Sequence, residues 1–404
     1  MIKQNQRISI FEKLKSLGFP SGEYFLISDA IKLKKGKLKI VGGNVRDYLL
    51  KKKITSDPDL ATNLNPEEVI LCLQKKKIKY FDSSIKYGTV VAIINDIKFE
   101  ITTLRKDISS DGRWPIVSFT ECWEEDAKRR DFTINAIYLS EEGLFDPLNG
   151  IDDLKKKKVV FIGEPKDRII EDNLRILRFL RFSLLYAENF DTKGIKAVKL
   201  FSDKLRTVSF ERRFSELKKF ICLKSFEKKF KTILDTKVLQ NCFQIEVSKS
   251  IENFFKIERK LNNISYLRRI KFFLRGSNNL NFTLKNSSFK KDEILRISTF
   301  LDIDYSLDYE ELFYKKNSTF VLDQCIFDCI DGKIEEFLLV KIYKILKNWE
   351  KPIFPISGRD VKSLGITDGF IIGYVLDQIE TWWIEKKFKP SKQECIDRLR
   401  SLLP

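Results

Sequence analysis

Histidine is absent from this sequence of 404 residues. Its absence excludes a Ser-His-Asp or Cys-His nucleophilic site, a histidine general base and any metal centre held by histidine. It also excludes a histidine-aspartate phosphohydrolase domain. Any catalysis must therefore use carboxylates, lysine, tyrosine or a hard metal ion bound through oxygen ligands.

Cysteine is scarce and scattered. The seven cysteines form no C-x-x-C pair, which argues against a zinc knuckle and indicates a reducing compartment. No apolar run approaches the roughly 20 residues of a membrane span, and the polar residues 1–14 do not have the apolar centre of a secretory signal. The sequence therefore predicts a cytoplasmic protein with no membrane partner.

Positive charge is in excess. The 75 Lys and Arg residues outnumber the 57 Asp and Glu residues, which gives a formal net charge of +18. Such a balance suits an anionic partner, with nucleic acid as the first candidate and an anionic membrane surface as the second. Lysine runs such as Lys51–Lys53 and Lys75–Lys77 are also what a solvated surface without any partner would show.

The first 145 residues mix strand and helix patterns, whereas helical patterns rich in Phe, Leu, Ile and Lys dominate afterwards. Loops are expected over Ile108–Phe119 and over the asparagine-rich Ser277–Asn286. We therefore predict an α+β fold, a small N-terminal α/β domain followed by an all-α remainder. The elements predicted in the N-terminal part are strands over Leu38–Val41 and Asp59–Thr62, a helix over Asn44–Leu50, a helix opened by Asn65 and Pro66, and a hairpin of Thr89–Ile94 and Lys98–Leu104 around Asn95-Asp96.

Two carboxylates, Asp57 and Asp59, lie two residues apart at the start of a predicted strand. Residues i and i+2 of a strand face the same way, and two close carboxylates repel each other unless a cation lies between them. Mg²⁺ prefers oxygen ligands and completes its shell with substrate phosphates. The pair is therefore a candidate metal site for nucleoside triphosphate chemistry, although a solvated turn would explain the same two residues.

Phosphate-binding features precede the acidic pair. Gly42-Gly43 follows a predicted strand and precedes a predicted helix, so backbone N–H groups near Gly43 can approach a triphosphate. Arg46, in the first turn of that helix, can reach phosphate oxygens. A plain tight turn and a salt bridge from Arg46 to Asp47 or Asp59 are the alternatives.

A third carboxylate, Glu100, lies between Phe99 and Ile101 in the second strand of the predicted hairpin. The two apolar neighbours face one side of the strand and Glu100 faces the other. If that other side carries the aspartates, Glu100 completes an acidic cluster that positions or deprotonates an attacking hydroxyl. Otherwise it faces solvent.

Five short motifs follow one another along the chain. They are VGGNVRD at Val41–Asp47, DPDLAT at Asp57–Thr62, FEITTLR at Phe99–Arg105, RRDFTINA at Arg129–Ala136 and EDNLRILR at Glu171–Arg178. In this order they resemble the CCA-adding enzymes and poly(A) polymerases of the class II type, within the polymerase-β-like nucleotidyltransferases. The resemblance is dense over residues 38–220 and returns near 356–385.

The resemblance implies a head, neck, body and tail: a polymerase-β-like nucleotidyltransferase head over 1–145, a helical neck that recognises the base over 146–220, a helical body over 221–350 and an RNA-binding helical tail over 351–404. It implies that Asp57 and Asp59 bind Mg²⁺ and that Glu100 is a third catalytic carboxylate. Nucleotide binding is implied for Gly43, Arg46, Arg130, Asp172, Arg175, Arg178 and Arg181.

Asp172 and Arg175 match the family's base-reading pair, and we predict both on one helix with Arg178 and Arg181. Aspartate only accepts and arginine only donates, so the pair complements the Watson–Crick edges of C and A and mismatches those of U and G. A wrong base would leave buried polar groups unpaired, at about 1–3 kcal/mol each. An intrahelical Asp172–Arg175 salt bridge, worth about 0.3–0.5 kcal/mol, is the alternative.

The remaining motif residues have plainer interpretations. Arg129 is expected to be a surface charge, and Asp131 and Asn135 to support the ribose or the local structure. The Glu–Arg pairs of Ser209–Leu217 are interpreted as structural. Pro58 departs from the family pattern and lacks a backbone N–H, so we expect its strand to lie at a sheet edge or to be bulged.

The reaction implied is template-independent addition of C, C and A to tRNA from CTP and ATP, by a two-metal mechanism that releases pyrophosphate. The loop expected over residues 106–123 is sizeable, and in this family that loop helps the switch from C to A. Poly(A) polymerase and A-only addition share the motifs and stay open, as does RNA binding without catalysis. A small-molecule acceptor would need neither the charge of +18 nor a long helical body.

Overall fold

The computed structural model describes residues 10–109, 116–243, 250–275, 284, 289–306 and 308–402. The chain divides into two compact units, Met1–Glu246 and Val247–Pro404. In the described residues the strands all belong to the first unit, and the secondary structure of the second unit is helical. The predicted α+β fold, with strands first and helices after, is confirmed.

A mixed sheet organises the first unit. Its strands and those of a separate ribbon are β1 (Leu38–Val41), β2 (Asp59–Thr62), β3 (Lys79–Ser84), β4 (Thr89–Ile94), β5 (Ile97–Thr103), β6 (Arg105–Ser109), β7 (Ile116–Phe119), β8 (Tyr138–Ser140) and β9 (Gly143–Phe145). The sheet has the order β3-β4-β5-β2-β1-β8-β9, and β6 pairs with β7 apart from it. β2 runs parallel to β5 and antiparallel to β1. β1 and β2 have the bounds predicted.

Helices cover this sheet and continue beyond it. They are α1 (Ser21–Ile31), α2 (Gly43–Leu49), α3 (Pro66–Lys75), α4 (Trp123–Lys128), α5 (Gly150–Lys155), α6 (Pro165–Glu171), α7 (Arg175–Tyr186), α8 (Thr192–Phe201), α9 (Phe210–Lys218), α10 (Lys224–Lys228), α11 (Phe230–Asp235) and α12 (Val238–Phe243). Leu60 and Ile101 of the sheet pack against Tyr24 of α1 and Leu73 of α3 in the main core. Strand alternation then sends the side chain of Asp59 to the opposite face.

Local sequence signals set the first unit's helix starts and turns. The Asn65 side chain accepts from the Glu68 backbone N–H at 2.8 Å, and the Glu68 carboxylate accepts from Asn65 N–H at 3.2 Å, so a reciprocal capping box begins α3. The β4–β5 hairpin turns at Asn95 and Asp96, whose φ angles are 51° and 62°. Positive φ at both central residues is what a two-residue type I′ turn requires.

The expectation for Pro58 is wrong. β2 is the middle strand of the sheet, and Pro58 directly precedes its first residue. Its carbonyl accepts from Glu100 N–H at 3.0 Å, which starts the parallel pairing. Proline is tolerated at the start of a strand because the position needs no ladder donor.

The predicted loop over Ile108–Phe119 is also wrong in part, because β6 and β7 occupy its two ends. Isoleucine and valine in these ends favour strands, and the two strands pair with Arg105 opposite Phe119. Residues 110–115 lie outside the described residues, as does the predicted loop over Ser277–Asn286 except for Leu284.

The second unit contains helices α13 (Ile251–Leu261), α14 (Tyr266–Leu274), α15 (Lys291–Ser298), α16 (Tyr309–Lys315), α17 (Ser318–Ile330), α18 (Glu336–Lys347), α19 (Gly358–Lys362), α20 (Gly369–Glu385) and α21 (Lys392–Ser401). Within the part of the chain that the structure describes, no helix is both long and apolar enough to cross a bilayer.

A buried ion network ties four of these helices together. Arg268 of α14 contacts Glu258 of α13 at 3.1 Å and Asp323 of α17 at 2.6 Å. Arg269 contacts Glu258 at 2.7 Å, and Arg296 of α15 contacts Asp323 at 2.8 Å. Both carboxylates are fully buried, so each acidic side chain depends on its guanidinium partners.

Replacing Asp323 should strongly destabilise the second unit. Asp323→Ala leaves two guanidiniums without their shared partner, so we expect a loss of about 3–5 kcal/mol in the free energy of unfolding, measured by urea denaturation. Asp397→Ala is the matched control, because the Asp397–Arg400 pair is more than half exposed and should contribute about 0–1 kcal/mol. Equal losses in the two variants would contradict a structural role for the network.

Candidate active site

The acidic residues meet at the start of β2. Asp59 is the first residue of this strand, and Glu100 of β5 is its partner in the parallel register. Partners in register on neighbouring strands project to the same face, so the Glu100 carboxylate lies on the side of Asp59. Asp57 precedes the strand by two residues. The structure thus brings together the carboxylates of Asp59 and Glu100 from separate motifs.

This clustering changes the acidity of Asp59. Burial and the neighbouring Glu100 carboxylate raise the pKa of the Asp59 carboxyl above its usual range, with a further contribution from Asp57. The guanidiniums of Arg130 and Arg46 act in the opposite direction without cancelling the shift. A carboxyl whose pKa is raised by neighbouring carboxylates lies where a cation is favourable.

The carboxylates of Asp57 and Asp59 form a donor set suited to a hard divalent cation. The described residues contain no group of three or more Cys, Asp or Glu side chains arranged around one ion. Mg²⁺ commonly uses one or two carboxylates and takes its other ligands from water and substrate phosphates. Asp57 and Asp59 match that requirement.

The turn before α2 is built around the acidic pair. Gly42 has a φ of 75°, and a Cβ there would lie 3.3 Å from Asp59 Oδ2. Only glycine adopts this conformation without strain. The buried Asn44 accepts from Asp59 N–H at 3.3 Å and donates to the Ser56 carbonyl at 3.3 Å, so it links the turn to the segment before β2. Gly43, the first residue of α2, lines the cleft described below.

Arg46 is held by one amide and two aromatic rings. Its Nη1 donates to Asn135 Oδ1, and its guanidinium lies 5.1 Å from the Phe182 ring centre and 5.2 Å from that of Tyr186. The side chain is 7% exposed, and its Nε has no hydrogen-bond acceptor among the described residues. The described partners of Arg46 include neither Asp47 nor Asp59. The alternative of a salt bridge from Arg46 to either aspartate is therefore wrong.

Asp126 anchors the two arginines of the fourth motif. Its carboxylate, 1% exposed, contacts Arg129 at 2.7 Å and Arg130 at 2.9 Å, and it accepts from the Tyr138 hydroxyl at 2.7 Å. Burial opposes ionisation, but the guanidiniums of Arg130 and Arg129 lower the pKa of Asp126 to about 2. The expectation of a surface charge at Arg129 is wrong, because this salt bridge holds its side chain at the cleft, 16% exposed.

Asp131 connects the fourth motif to α7. It accepts from Arg178 Nε at 2.7 Å and from Asn135 Nδ2 at 2.7 Å. Although the site is buried, the Arg178 guanidinium and the Asn135 amide lower the pKa of Asp131 to about 2. Asp131 therefore stays ionised and fixes the direction of Arg178.

Asp172 does not lie on the helix that carries Arg175. It is an extended residue between α6 and α7, with φ −150° and ψ 106°, and its Oδ1 accepts from Leu174 N–H at 3.1 Å. Such a short polar side chain competes with the helix for backbone donors. Asp172 pairs with Arg212 of α9 at 3.1 Å, and Arg175 pairs with Glu171 at 2.5 Å. The predicted single helix is therefore wrong here, and so is the alternative of an Asp172–Arg175 salt bridge.

Helix α9 supplies partners to these side chains. Besides Arg212, it carries Glu216, which contacts Arg181 of α7 at 2.8 Å and is 6% exposed. Two residues of Ser209–Leu217, whose Glu–Arg pairs were interpreted as structural, thus contact Asp172 and Arg181 outside their own helix.

These side chains surround one cleft of about 710 Å³. Asp57 and Glu100 lie beside Asp59 outside its lining. Sequence reasoning gave no role to Arg105, Ser56, Phe182, Tyr186 or Asp126. Asp126 could have been found, because it precedes Arg129 and Arg130 by three and four residues at the C-terminal end of α4. The cleft is lined by Gly42, Gly43, Arg46, Asp47, Ser56, Asp59, Arg105, Arg129, Arg130, Asp131, Asn135, Asp172, Arg175, Arg178, Arg181, Phe182 and Tyr186.

The Asp126 anchor should appear in the pH dependence of stability. Its folded pKa of about 2 lies below the ordinary value of 3.8, so the ionised form stabilises the fold above pH 4 and this contribution is lost as the pH falls towards 2. Asp126→Asn should lower the free energy of unfolding by about 2–3 kcal/mol at pH 7, and the difference should shrink below pH 4.

Urea unfolding at several pH values checks this. Asp152→Asn is the control, because its exposed surface pair with Lys156 should contribute far less to stability than the Asp126 anchor at every pH. A difference between wild type and Asp126→Asn that does not change with pH would contradict the anchoring charge.

Comparisons with known proteins identify the family of this chain. A family model described as the Poly A polymerase head domain matches residues 38–160. The Homo sapiens protein named CCA tRNA nucleotidyltransferase 1, mitochondrial, is 32% identical over 391 residues, which cover 90% of this chain and 86% of that protein. The CCA-adding enzyme of Streptococcus uberis is 39% identical over 215 residues, which cover 52% of this chain and 48% of that protein.

Solved structures share the fold. The CCA-adding enzyme of Bacillus stearothermophilus in complex with CTP gives a TM-score of 0.71 at 22% identity, covering 95% of this chain and 97% of that chain. A CCA-adding enzyme in complex with ATP gives 0.68 at 20% identity, covering 97% and 98%. The fold is thus that of a polymerase-type head followed by helices. Since the sequence relationship at 32% identity extends over 90% of the chain, this protein belongs to the CCA tRNA nucleotidyltransferase family.

Proposed function

We propose that this chain adds C, C and A to the 3′ end of tRNA from CTP and ATP, without a nucleic-acid template and with release of pyrophosphate. The observation that carries the proposal is that one cleft combines the Asp59 carboxylate with Asp172 and Arg175. Family membership over nearly the whole chain supports the same activity. The net charge of +18 suits an RNA backbone, and binding should weaken as salt is raised.

The start of β2 is the proposed site of phosphoryl transfer. Asp57 and Asp59 would hold Mg²⁺, which when bound would activate the 3′-hydroxyl and bind triphosphate oxygens in a two-ion arrangement. Glu100 would position that hydroxyl or accept its proton, because it lies opposite Asp59 in the register. The absent Cβ of Gly42 leaves the approach to Asp59 Oδ2 clear.

The arginines of the cleft are proposed to bind the triphosphate. Arg46, Arg130, Arg178 and Arg181 line it, and each is held by a partner within the first unit. A guanidinium that is already oriented loses less side-chain entropy when it binds a phosphate. Gly43 would let a phosphate approach the backbone at the start of α2.

Asp172 and Arg175 are proposed to read the base. Both already have protein partners, Arg212 and Glu171. Reading a base therefore requires each side chain to share or exchange its partner. C and A offer the donor and acceptor that such an exchange needs, whereas U and G present the reverse pattern.

We also propose the four-part division into head (1–145), neck (146–220), body (221–350) and RNA-binding tail (351–404), with tRNA as the macromolecular partner. A cytoplasmic location stays a prediction, because the Homo sapiens and Mus musculus relatives are named as mitochondrial proteins.

Incubation with tRNA that ends before CCA tests the activity. With Mg²⁺, CTP and ATP, we expect three nucleotides and then arrest, resolved on a denaturing gel. Asp59→Ala should reduce the rate at least about 1,000-fold, because it removes a metal ligand needed at the transition state, while tRNA affinity stays near wild type. Asp152→Asn, at an exposed carboxylate, is the control and should extend normally.

Other products would identify the rivals. Long A tails on any RNA would indicate a poly(A) polymerase, and a single A added only after CC would indicate A-only addition. RNA binding without extension, unchanged by Asp59→Ala, would indicate a non-catalytic RNA-binding protein.

Base selection should depend on Asp172. Asp172→Ala removes the acceptor for the exocyclic amino group, so we expect kcat/KM for CTP and ATP to fall about 10- to 100-fold relative to UTP. Single-nucleotide incorporation with each triphosphate measures the ratio. Asp167→Ala, an exposed acidic residue on the preceding helix, should leave it unchanged. An unaltered ratio in Asp172→Ala would sink the base-reading role.

A further inference from the structure

One aromatic ring lies among three of the cleft's arginines. The ring of Phe182, on α7, has the guanidinium of Arg181 at 4.3 Å from its centre, that of Arg46 at 5.1 Å and that of Arg178 at 5.4 Å. All three distances fall within the range of a cation–π interaction. Phe182 itself is 5% exposed and lines the cleft.

The three guanidiniums carry like charges and repel one another, because all of them lie close to the same ring. Burial, together with the positive charges of Arg178 and Arg46, lowers the pKa of Arg181. Each guanidinium also has one polar anchor, and the anchors lie on different elements: Asn135 for Arg46, Asp131 for Arg178 and Glu216 for Arg181. Asn135 donates to Asp131, so the anchors of Arg46 and Arg178 are linked, but neither contacts Arg181, whereas the Phe182 ring contacts all three guanidiniums.

An aromatic ring can do here what another carboxylate could not. A carboxylate among the arginines would attract them but would also cancel positive charge that an anion needs. The face of a phenyl ring attracts cations through its quadrupole and carries no net charge. Arg46 has a second such contact with Tyr186, one turn further along α7.

We propose that Phe182 is a positioning residue that holds Arg46, Arg178 and Arg181 together for the triphosphate of either CTP or ATP. This inference rests on the proposed nucleotidyltransferase function. It assigns no contact between Phe182 and the base. The consequence is that loss of the ring weakens triphosphate binding for both nucleotides equally and leaves the choice of base unchanged.

Three substitutions on α7 separate this role from packing. Phe182→Leu keeps an apolar side chain of similar bulk but removes the ring, and Phe182→Tyr restores a ring. Phe179→Leu is the matched control, because Phe179 is fully buried one turn earlier and stacks on Phe161 with ring centres 5.1 Å apart. Its removal costs core packing while the arginine–ring contacts of the cleft stay in place.

The readouts are steady-state kinetics with CTP and ATP and inhibition by inorganic pyrophosphate. For Phe182→Leu we expect KM for both nucleotides and the inhibition constant of pyrophosphate to rise about tenfold, with kcat changed less than about threefold. Phe182→Tyr should return KM to within about threefold of wild type. Phe179→Leu should keep the wild-type KM even though it lowers thermal stability at least as much.

The inference is overturned if Phe182→Leu and Phe179→Leu change KM alike, if Phe182→Tyr fails to restore KM, or if CTP and ATP are affected unequally. Each of these outcomes leaves the proposed function intact, provided that the wild-type chain extends tRNA. If the wild-type chain extends no RNA with either nucleotide, the proposed function itself fails, so the two failures are distinguishable.

Discussion

Mutual repulsion among arginines is the constraint on which the cleft depends. Seven arginine side chains line it, and guanidiniums kept this close, partly out of water, would move apart unless each had a fixed acceptor. The structure supplies buried or half-buried acceptors: Asp126 for Arg129 and Arg130, Asp131 for Arg178, Glu216 for Arg181 and Glu171 for Arg175. Seven arginines and four aspartates line the cleft, so its lining keeps a formal excess of positive charge, which suits an anionic ligand.

These ion pairs also explain why the site needs both the sheet and the helices of the first unit. Asp131 follows α4 near the sheet and holds Arg178 of α7. The guanidinium of Arg46, on α2, packs against Phe182, which also lies on α7. Helix α9 then contacts α7 through Glu216 and Arg181. Because the partners are far apart in sequence, the cleft forms only when these parts of the unit fold together.

Features that depend on residues close in sequence could be predicted, whereas features that depend on distant partners could not. β1, β2, the Asn95-Asp96 turn and the Asn65 cap depend on neighbours within a few residues, and the sequence predicted each of them. The candidate site residues could be named from the motifs, because a motif is defined by residue types at fixed spacing and can be recognised without knowledge of the surrounding fold.

The wrong predictions for Asp172 and Arg129, and the missed contacts of Phe182, each have a physical reason. Asp172 was assigned to a helix because spacing alone does not reveal that its carboxylate accepts from Leu174 N–H and pairs with Arg212. Arg129 looked like a surface charge because Asp126 was not recognised as buried. Phe182 gave no signal, since a phenylalanine on an apolar helix face is expected in the core and only the tertiary structure brings arginines to its ring.

The protein partners of Asp172 and Arg175 determine which free-energy differences the proposed base selection depends on. Both side chains are paired within the protein, with Arg212 and Glu171, so neither is an unpaired charge. A matching base therefore gains little beyond replacing hydrogen bonds that the protein can make by itself. A mismatched base displaces those bonds and offers donors to Arg175 or acceptors to Asp172, which leaves buried polar groups unpaired. In the proposed base selection, discrimination would therefore come mainly from the penalty on the wrong base, so that side chains alone would reject U and G while binding C and A with moderate strength.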